Sequence, residues 1–295
     1  MELQKLLFIV NPLAGRNKPH GPLFDALSIL SQAGCLIRIR QTAAPGDATE
    51  IAAREAPAYD LVVAAGGDGT LNEVISGLMR LESPPPLGYL PQGTTNDFAA
   101  CLQIPRDPAA AAENIAKGRL RALDIGRWNQ RNFIYVASFG AFTRSSYTAS
   151  QAAKNALGHF AYILEGMKDL NTLRPYHIRL TADGEVLDGD YLFGAVCNST
   201  SIGGLMKLDP ERVVLDDGKF EMLLVRSPKT AIDLQNLVLA LLNQQYDSPG
   251  LVFRHVSSLR LETEEELPWS LDGEYAPSVP VVEISNRQRA LRMLL

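Results

Sequence analysis

Leu61-Val62-Val63-Ala64-Ala65-Gly66-Gly67-Asp68-Gly69-Thr70-Leu71-Asn72-Glu73 joins an apolar run to a glycine turn with a carboxylate in its middle, and then to a helix-like repeat. Leu61 to Ala65 is apolar throughout and predicts a strand buried on both faces of a parallel sheet. Glycines directly after such a strand can take φ > 0 and let a ligand approach the backbone closely. Thr70 and Glu73 predict a capping box, and Leu71, Val74, Ile75, Leu78 and Met79 recur at helical spacing behind it. The turn is therefore aimed along a helix N-terminus, where unpaired amides and the macrodipole favour an anion. Asp68 is the unusual member. A carboxylate beside phosphate oxygens is repelled unless a cation or a proton lies between them, which points to Mg²⁺ or to acid–base work. The stretch is neither a Walker A loop nor a dinucleotide fingerprint, because the Gly-Lys-Ser/Thr ending and the G-x-G-x-x-G spacing are both missing.

Outward from this stretch, apolar strands alternate with helical patterns as far as Arg119, the signature of a parallel sheet wrapped by helices. Leu6 to Val10, Cys35 to Arg40, Leu61 to Ala65 and Leu87 to Leu90 are the expected strands. Leu23 to Ala33, Ala48 to Glu55, Thr70 to Leu81 and Pro108 to Lys117 are the expected helices. Ser83-Pro84-Pro85-Pro86 cannot continue a helix and breaks the chain before the fourth strand. Beyond Arg119 the texture changes. Phe133 to Ala137, Tyr176 to Leu180, Tyr191 to Cys197, Phe220 to Val225, Ser258 to Leu261 and Val281 to Ile284 predict sheet strands. Turn signals such as Ala182-Asp183-Gly184 and Asp216-Asp217-Gly218 separate them, and helical segments are expected at Gln151 to Leu170 and Thr230 to Gln244. The reading is an α/β first domain over 1–122 and a second, mainly antiparallel domain over 123–295.

Composition narrows the function classes. A chain of 295 residues with 46% hydrophobic content can bury a substantial core. A net charge of −5 argues against a general nucleic-acid binder, which needs a concentrated basic surface. Cys35, Cys101 and Cys197 lie far apart with no C-x-x-C pair, so neither a disulfide framework nor a zinc site is expected, and a reducing cytoplasm fits. His20, His159, His177 and His255 are scattered without metal-ligand spacing. The start of the chain lacks a basic n-region, and Leu6 to Val10 is too short for a signal-peptide core. The longest apolar run, Leu237 to Leu242, falls far short of the ~18–20 residues that cross a bilayer, so membrane contact is expected to be peripheral.

Two further junctions follow predicted strands, where ligands of open α/β sheets collect. Asn11-Pro12-Leu13-Ala14-Gly15-Arg16 offers an asparagine and a guanidinium able to reach phosphate oxygens. Pro91-Gln92-Gly93-Thr94-Thr95-Asn96-Asp97-Phe98-Ala99 again links a strand to a helix, and Asn96 or Asp97 suits an N-cap. The ordered pair Gly66-Gly67-Asp68-Gly69-Thr70 and Gly93 to Ala99 resembles the diacylglycerol kinase catalytic family, which includes YegS-like, sphingosine and ceramide lipid kinases. The resemblance extends through Leu123-Asp124-Ile125-Gly126, Leu215 to Phe220 and Asp272-Gly273-Glu274.

That resemblance implies a nucleotide-binding, NAD-kinase-like α/β domain followed by a β-sandwich, with ATP in the cleft between them. It implies that Asn11, Arg16, Thr42, Gly66, Gly67, Asp68, Gly69, Thr70, Leu71, Asn72, Gly93 and Thr94 line the ATP phosphates and ribose, while Asn96 and Asp97 order the loop beside them. By its residues alone Asp217-Gly218 is a hairpin turn; by resemblance Asp217 and the carbonyls of Val214 and Lys219 hold a structural Mg²⁺. Asp272-Gly273-Glu274 is brought by resemblance to the ATP cleft, with Asp272 and Glu274 as catalytic residues and Glu274 as proton acceptor; Asp68 is the rival for that role or the holder of catalytic Mg²⁺. Asp47 stands where histidine is common in the family, and Ile202 replaces a glycine in the Ser201 to Gly204 stretch. The implied activity is phosphorylation of a lipid hydroxyl at the membrane surface, with diacylglycerol the leading acceptor, by a cytoplasmic protein transiently peripheral to the membrane. A homodimer is compatible with this reading. NAD kinase, which shares the Gly-Gly-Asp-Gly turn, and a non-catalytic nucleotide sensor are the alternatives.

Overall fold

A computed structural model of the protein describes residues 4–14, 21–94, 96–140, 174–199, 201–202, 206–207 and 213–295. The expected helix at Gln151 to Leu170, and Gly203 and Gly204, lie outside the described residues. The chain divides into two compact units, Met1–Asp124 with Arg289–Leu295, and Ile125–Gln288.

The first unit opens with β1 (Gln4–Val10), α1 (Gly21–Gln32), β2 (Cys35–Gln41) and α2 (Asp47–Glu55). It continues through β3 (Leu61–Gly66), α3 (Asp68–Leu78), β4 (Leu87–Pro91), α4 (Asp97–Cys101) and α5 (Pro108–Lys117). β1 pairs in parallel with β2 and β3, and β3 pairs in parallel with β4. Leu6, Leu7, Phe8 and Ile9 are wholly buried, as are Val62, Val63, Ala64 and Ala65, because helices cover both faces of a parallel sheet. The alternating apolar pattern thus becomes the α/β architecture expected of it. Since β2 and β3 flank β1 on opposite sides, the chain reverses direction across the sheet at β1 and β3, and the loops after these strands lie side by side.

The second unit is mainly antiparallel and sandwich-like. β5 (Leu120–Trp128) leads into it, followed by β6 (Arg131–Phe133), β7 (Val136–Gly140), β8 (Tyr176–Ala182) and β9 (Glu185–Cys197). Two short strands, β10 (Ser201–Ile202) and β11 (Met206–Lys207), precede β12 (Phe220–Arg226) and α6 (Ala231–Leu242). β13 (Leu251–Val256), β14 (Ser258–Glu262), β15 (Trp269–Leu271), β16 (Glu274–Ala276) and β17 (Val281–Leu294) complete the chain. β9 is central, pairing antiparallel with β7, β8 and β12. The aromatic core brings Trp269 within 4.9 Å of Phe139 and 6.1 Å of Trp128, ring centre to ring centre, so both tryptophans serve packing. Asp183-Gly184 takes positive φ at both residues (44° and 93°), the mirror-type turn that matches the twist of the β8–β9 hairpin.

Three local expectations are corrected. The single strand expected over Phe133 to Ala137 is two strands, because the amides of Ile134, Tyr135 and Val136 turn to a side chain instead of a neighbouring strand. The strand expected to end at Ile284 runs on to Leu294, and Met293 pairs in parallel with Leu87 of β4. Arg289–Leu295 therefore belongs to the first unit, which departs from a contiguous second domain over 123–295. Leu291 and Met293 are wholly buried there, and Arg292 donates to the Pro84 carbonyl at 2.8 Å. The capping box expected of Thr70 and Glu73 is absent. α3 begins at Asp68 behind an N-cap glycine, Gly67, without a side-chain cap. Glu73 instead accepts the amides of Gly46 and Ala48 at 2.8 and 3.2 Å, where it caps α2.

Candidate active site

The three strand–helix junctions of the first unit meet at the carboxyl ends of its strands. Asn11, just past β1, donates from its backbone to the Ala65 carbonyl at 3.0 Å and from Nδ2 to Thr70 Oγ1 at 3.2 Å. Its Oδ1 accepts the Leu13 amide at 2.9 Å, closing the turn on itself. Thr42, just past β2, is held to the Val10 carbonyl at 3.0 Å, which sets it beside Asn11. Gln92, just past β4, donates to the Gly66 carbonyl at 2.7 Å. Asn11, Thr42, Gly66, Thr70 and Gly93 thus share one edge of the sheet. Arg16 and Thr95 lie outside the described residues.

Glycine is required at this edge for space and not for conformation. Gly67 has φ −88°, an ordinary value, so the positive φ expected of the turn is not used there. A Cβ on Gly66 would fall 2.5 Å from the Thr70 side chain. A Cβ on Gly93 would fall 2.7 Å from the Gly67 Cα and 2.7 Å from Asn96 Oδ1. The two glycine loops therefore touch backbone to backbone, and their surfaces stay open to a ligand that needs amide donors.

Asp68 sits in the first turn of α3 and reaches the next junction. Its carboxylate accepts the Asp97 and Phe98 amides, the first of α4, at 3.1 and 3.4 Å. Burial raises its pKa above the ordinary carboxylate value, and those amides, with those of Asn96 and Asp68 itself, offset part of the rise. Asp97 is raised as well, first by burial and then by the charge of Asp68, against a partial offset from Arg106. Asp68 thus disfavours ionisation of its half-buried neighbour Asp97, and a hard cation with oxygen ligands is one species that would relieve such a pair.

The remaining expected residues divide by burial. Gly69 and Thr94 are exposed, and Thr70 and Asn96 are buried. Leu71 is wholly buried, so only its backbone can serve a ligand, and its amide is already bonded to the Gly67 carbonyl at 3.0 Å. Half-buried Asn72 accepts from Ser76 Oγ at 3.4 Å.

In the second unit, Asp272 and Gly273 form a tight turn with φ 50° and 85° between β15 and β16. Asp272 is buried. Its carboxylate accepts the Ile134, Tyr135 and Val136 amides at 2.7, 3.0 and 3.0 Å, so it anchors the hairpin. Glu274, two residues on, has its side chain 56% exposed with Arg131 at 3.9 Å. Asp217 is exposed, and its Oδ1 accepts the Lys219 amide at 2.9 Å across left-handed Gly218, the geometry of the expected turn. Val214 is exposed. Among the described residues no group of three or more His, Cys, Asp or Glu could hold a metal ion, so a cation at Asp217 would rest largely on backbone oxygens. Among the described residues no helix is long and apolar enough to cross a membrane.

The chain is similar to known proteins along most of its length. A model of the diacylglycerol kinase catalytic domain matches residues 5–128, and one of the YegS C-terminal NAD kinase beta sandwich-like domain matches residues 136–295. A diacylglycerol kinase of Bacillus subtilis (strain 168) is 36% identical over 94% of this chain and 92% of its own length. One from Staphylococcus saprophyticus is 35% identical over 92% of this chain and 89% of its own. Among solved structures, a diacylglycerol kinase of Bacillus anthracis str. Sterne superposes with a TM-score of 0.75 at 26% identity. That match covers all of this chain and 97% of the other.

Proposed function

Because the chain belongs to the diacylglycerol kinase family and is a lipid kinase, we propose that it transfers the γ-phosphoryl group of ATP to the hydroxyl of diacylglycerol, giving phosphatidic acid. The observation that carries this reading is the backbone contact of the Gly67 and Gly93 loops, with Asp68 reaching from one to the other. Open backbone at two adjacent strand ends supports a triphosphate. Amide donors there act on the charge that develops as the phosphoryl group moves.

Asn11, Thr42, Thr70, Asn72, Thr94 and the glycines Gly66, Gly67, Gly69 and Gly93 are assigned to the nucleotide, with Arg16 joining them by family resemblance. Asp68, with Asp97 beside it, would hold catalytic Mg²⁺, and Asp217 with the Val214 and Lys219 carbonyls a structural one. Bound there, the cation would neutralise phosphate charge. Glu274 is assigned as proton acceptor for the lipid hydroxyl. Its exposed carboxylate is free of the amide bonds that occupy Asp272, which acts by fixing the hairpin that carries Glu274. The lipid is met at a membrane surface through peripheral contact.

The test is transfer of radiolabelled γ-phosphate from ATP to a panel of lipid alcohols in mixed micelles, with NAD as a parallel acceptor. Label in phosphatidic acid, dependent on Mg²⁺ and absent from NADP, is the expected result. Label confined to another lipid would reassign the acceptor, NADP formation would favour NAD kinase, and tight ATP binding without turnover would favour a sensor.

A further inference from the structure

Tyr89 lies in the middle of β4, 1% exposed, beneath both glycine junctions. Its hydroxyl stands 3.2 Å from the Gly66 carbonyl and 3.4 Å from Asn96 Oδ1. The Gly66 carbonyl also accepts the Gln92 amide at 2.7 Å, so it keeps a donor without the tyrosine. The single phenolic proton is shared between the two acceptors, and Asn96 depends on it more. Its Nδ2 donates to the Gly93 carbonyl at 2.9 Å, which orients the side-chain amide and turns Oδ1 toward the Tyr89 hydroxyl. Asn96 is also 1% exposed and left-handed, with φ 53° and ψ 53°. A residue with a Cβ holds that conformation when its surroundings impose it, and asparagine tolerates it best. Directly after this bend, the Asp97 and Phe98 amides run onto the Asp68 carboxylate. Burial, with the charge of Asp68 second, pushes the phenol far above its ordinary pKa, so the hydroxyl remains a donor at any working pH.

We propose that the Tyr89 hydroxyl is a positioning group for phosphoryl transfer: it holds Asn96 in its left-handed bend, which aims the Asp97 and Phe98 amides and through them fixes the carboxylate of Asp68. The proposal rests on the reading that Asp68 serves phosphoryl transfer, and adds a residue that acts from inside the core. Phenylalanine would fill the same space and remove only the donor.

The experiment compares the full chain with its Tyr89→Phe variant by amide hydrogen exchange, steady-state kinetics and thermal melting. Exchange of the Asp97 and Phe98 amides is expected to quicken about tenfold, the value of one hydrogen bond, and kcat to fall by about the same factor. The KM for lipid and the melting temperature should change little. Asn96→Ala, which also removes the bond to Gly93, should quicken the same exchange at least as much, and the double variant should be no worse than it, because Tyr89 acts through Asn96. Unchanged exchange in Tyr89→Phe, a general rise in exchange with a large fall in melting temperature, or full additivity with Asn96→Ala would each overturn the proposal. If the wild-type chain phosphorylates no lipid, the kinase reading fails while the exchange measurement still decides the part played by Tyr89.

Discussion

Asp68 in the first unit and Asp272 in the second both precede a glycine, and both spend their carboxylates on backbone amides of a distant segment. Asp272 takes three such amides within 3.0 Å, and Asp183, in another hairpin turn of that unit, takes those of Ser257 and Ser258 at 2.7 and 2.9 Å. Asp68 accepts two at 3.1 and 3.4 Å, with the Asn96 and Asp68 amides acting on it more weakly, and its charge raises the pKa of a second carboxylate, Asp97. An antiparallel hairpin uses up its aspartate as a staple. A strand–helix junction leaves its aspartate incompletely compensated, and that residual demand for positive charge is what a cation-bearing ligand can meet.

The sharpest way to break this contrast is to neutralise Asp68. Asp68→Asn should lower kcat about 10³-fold, the scale of losing one charge-organising group at a reacting centre, with melting nearly unchanged. Strong phosphate transfer by this variant would remove Asp68 from the chemistry. Asp272→Ala should act first on stability, costing about 3 kcal/mol because three buried amides lose their acceptor. Thermal unfolding reads it, and an unchanged melt would mean that the staple is dispensable.

A smaller pair of effects comes from the glycines. Gly93→Ala places a methyl 2.7 Å from the Gly67 Cα and should weaken ATP binding about tenfold by calorimetry. Gly184→Ala meets no atom within 4 Å but sits at φ 93°, so it should cost about 1 kcal/mol of stability and leave turnover unchanged. Equal effects from the two would erase the difference between junction and hairpin. The smallest effect concerns His177, whose Nδ1 lies 2.8 Å from Asp190 and Nε2 3.3 Å from Asp188. The hydrogen bond to Asp190 leads the rise of its pKa above 6.5. The stabilisation is therefore fully present below about pH 6.5 and is lost as pH climbs through the raised value. Proton NMR titration should find that midpoint above 6.5, and Asp190→Asn should lower it. An unperturbed midpoint would show that solvent screens the pair completely.

The parallel half of the fold was legible because its signals are short-range. Leu61 to Ala65, the Gly66–Gly67 pair and the spacing of Leu71, Val74 and Ile75 each report local geometry, and together they place the candidate site at strand ends. Tyr89 carried no such signal, since a tyrosine in a buried strand reads as core whichever atoms its hydroxyl meets. Glu73 misled for a related reason: its spacing from Thr70 fits a capping box, but the amides it satisfies are those of Gly46 and Ala48, on another helix.

By itself the sequence determined the alternation of strands and helices, the glycine turns and the antiparallel character of the later chain, because periodicity and turn chemistry are properties of neighbouring residues. Tertiary structure decided which partners the polar groups take. Asp272 finds the amides of Ile134 to Val136, and the last strand returns Met293 to Leu87 of the first unit. Asp68 likewise meets the amides that follow Asn96. Each is a bond between segments far apart in the chain, and its geometry exists only once the strands that carry both ends have paired.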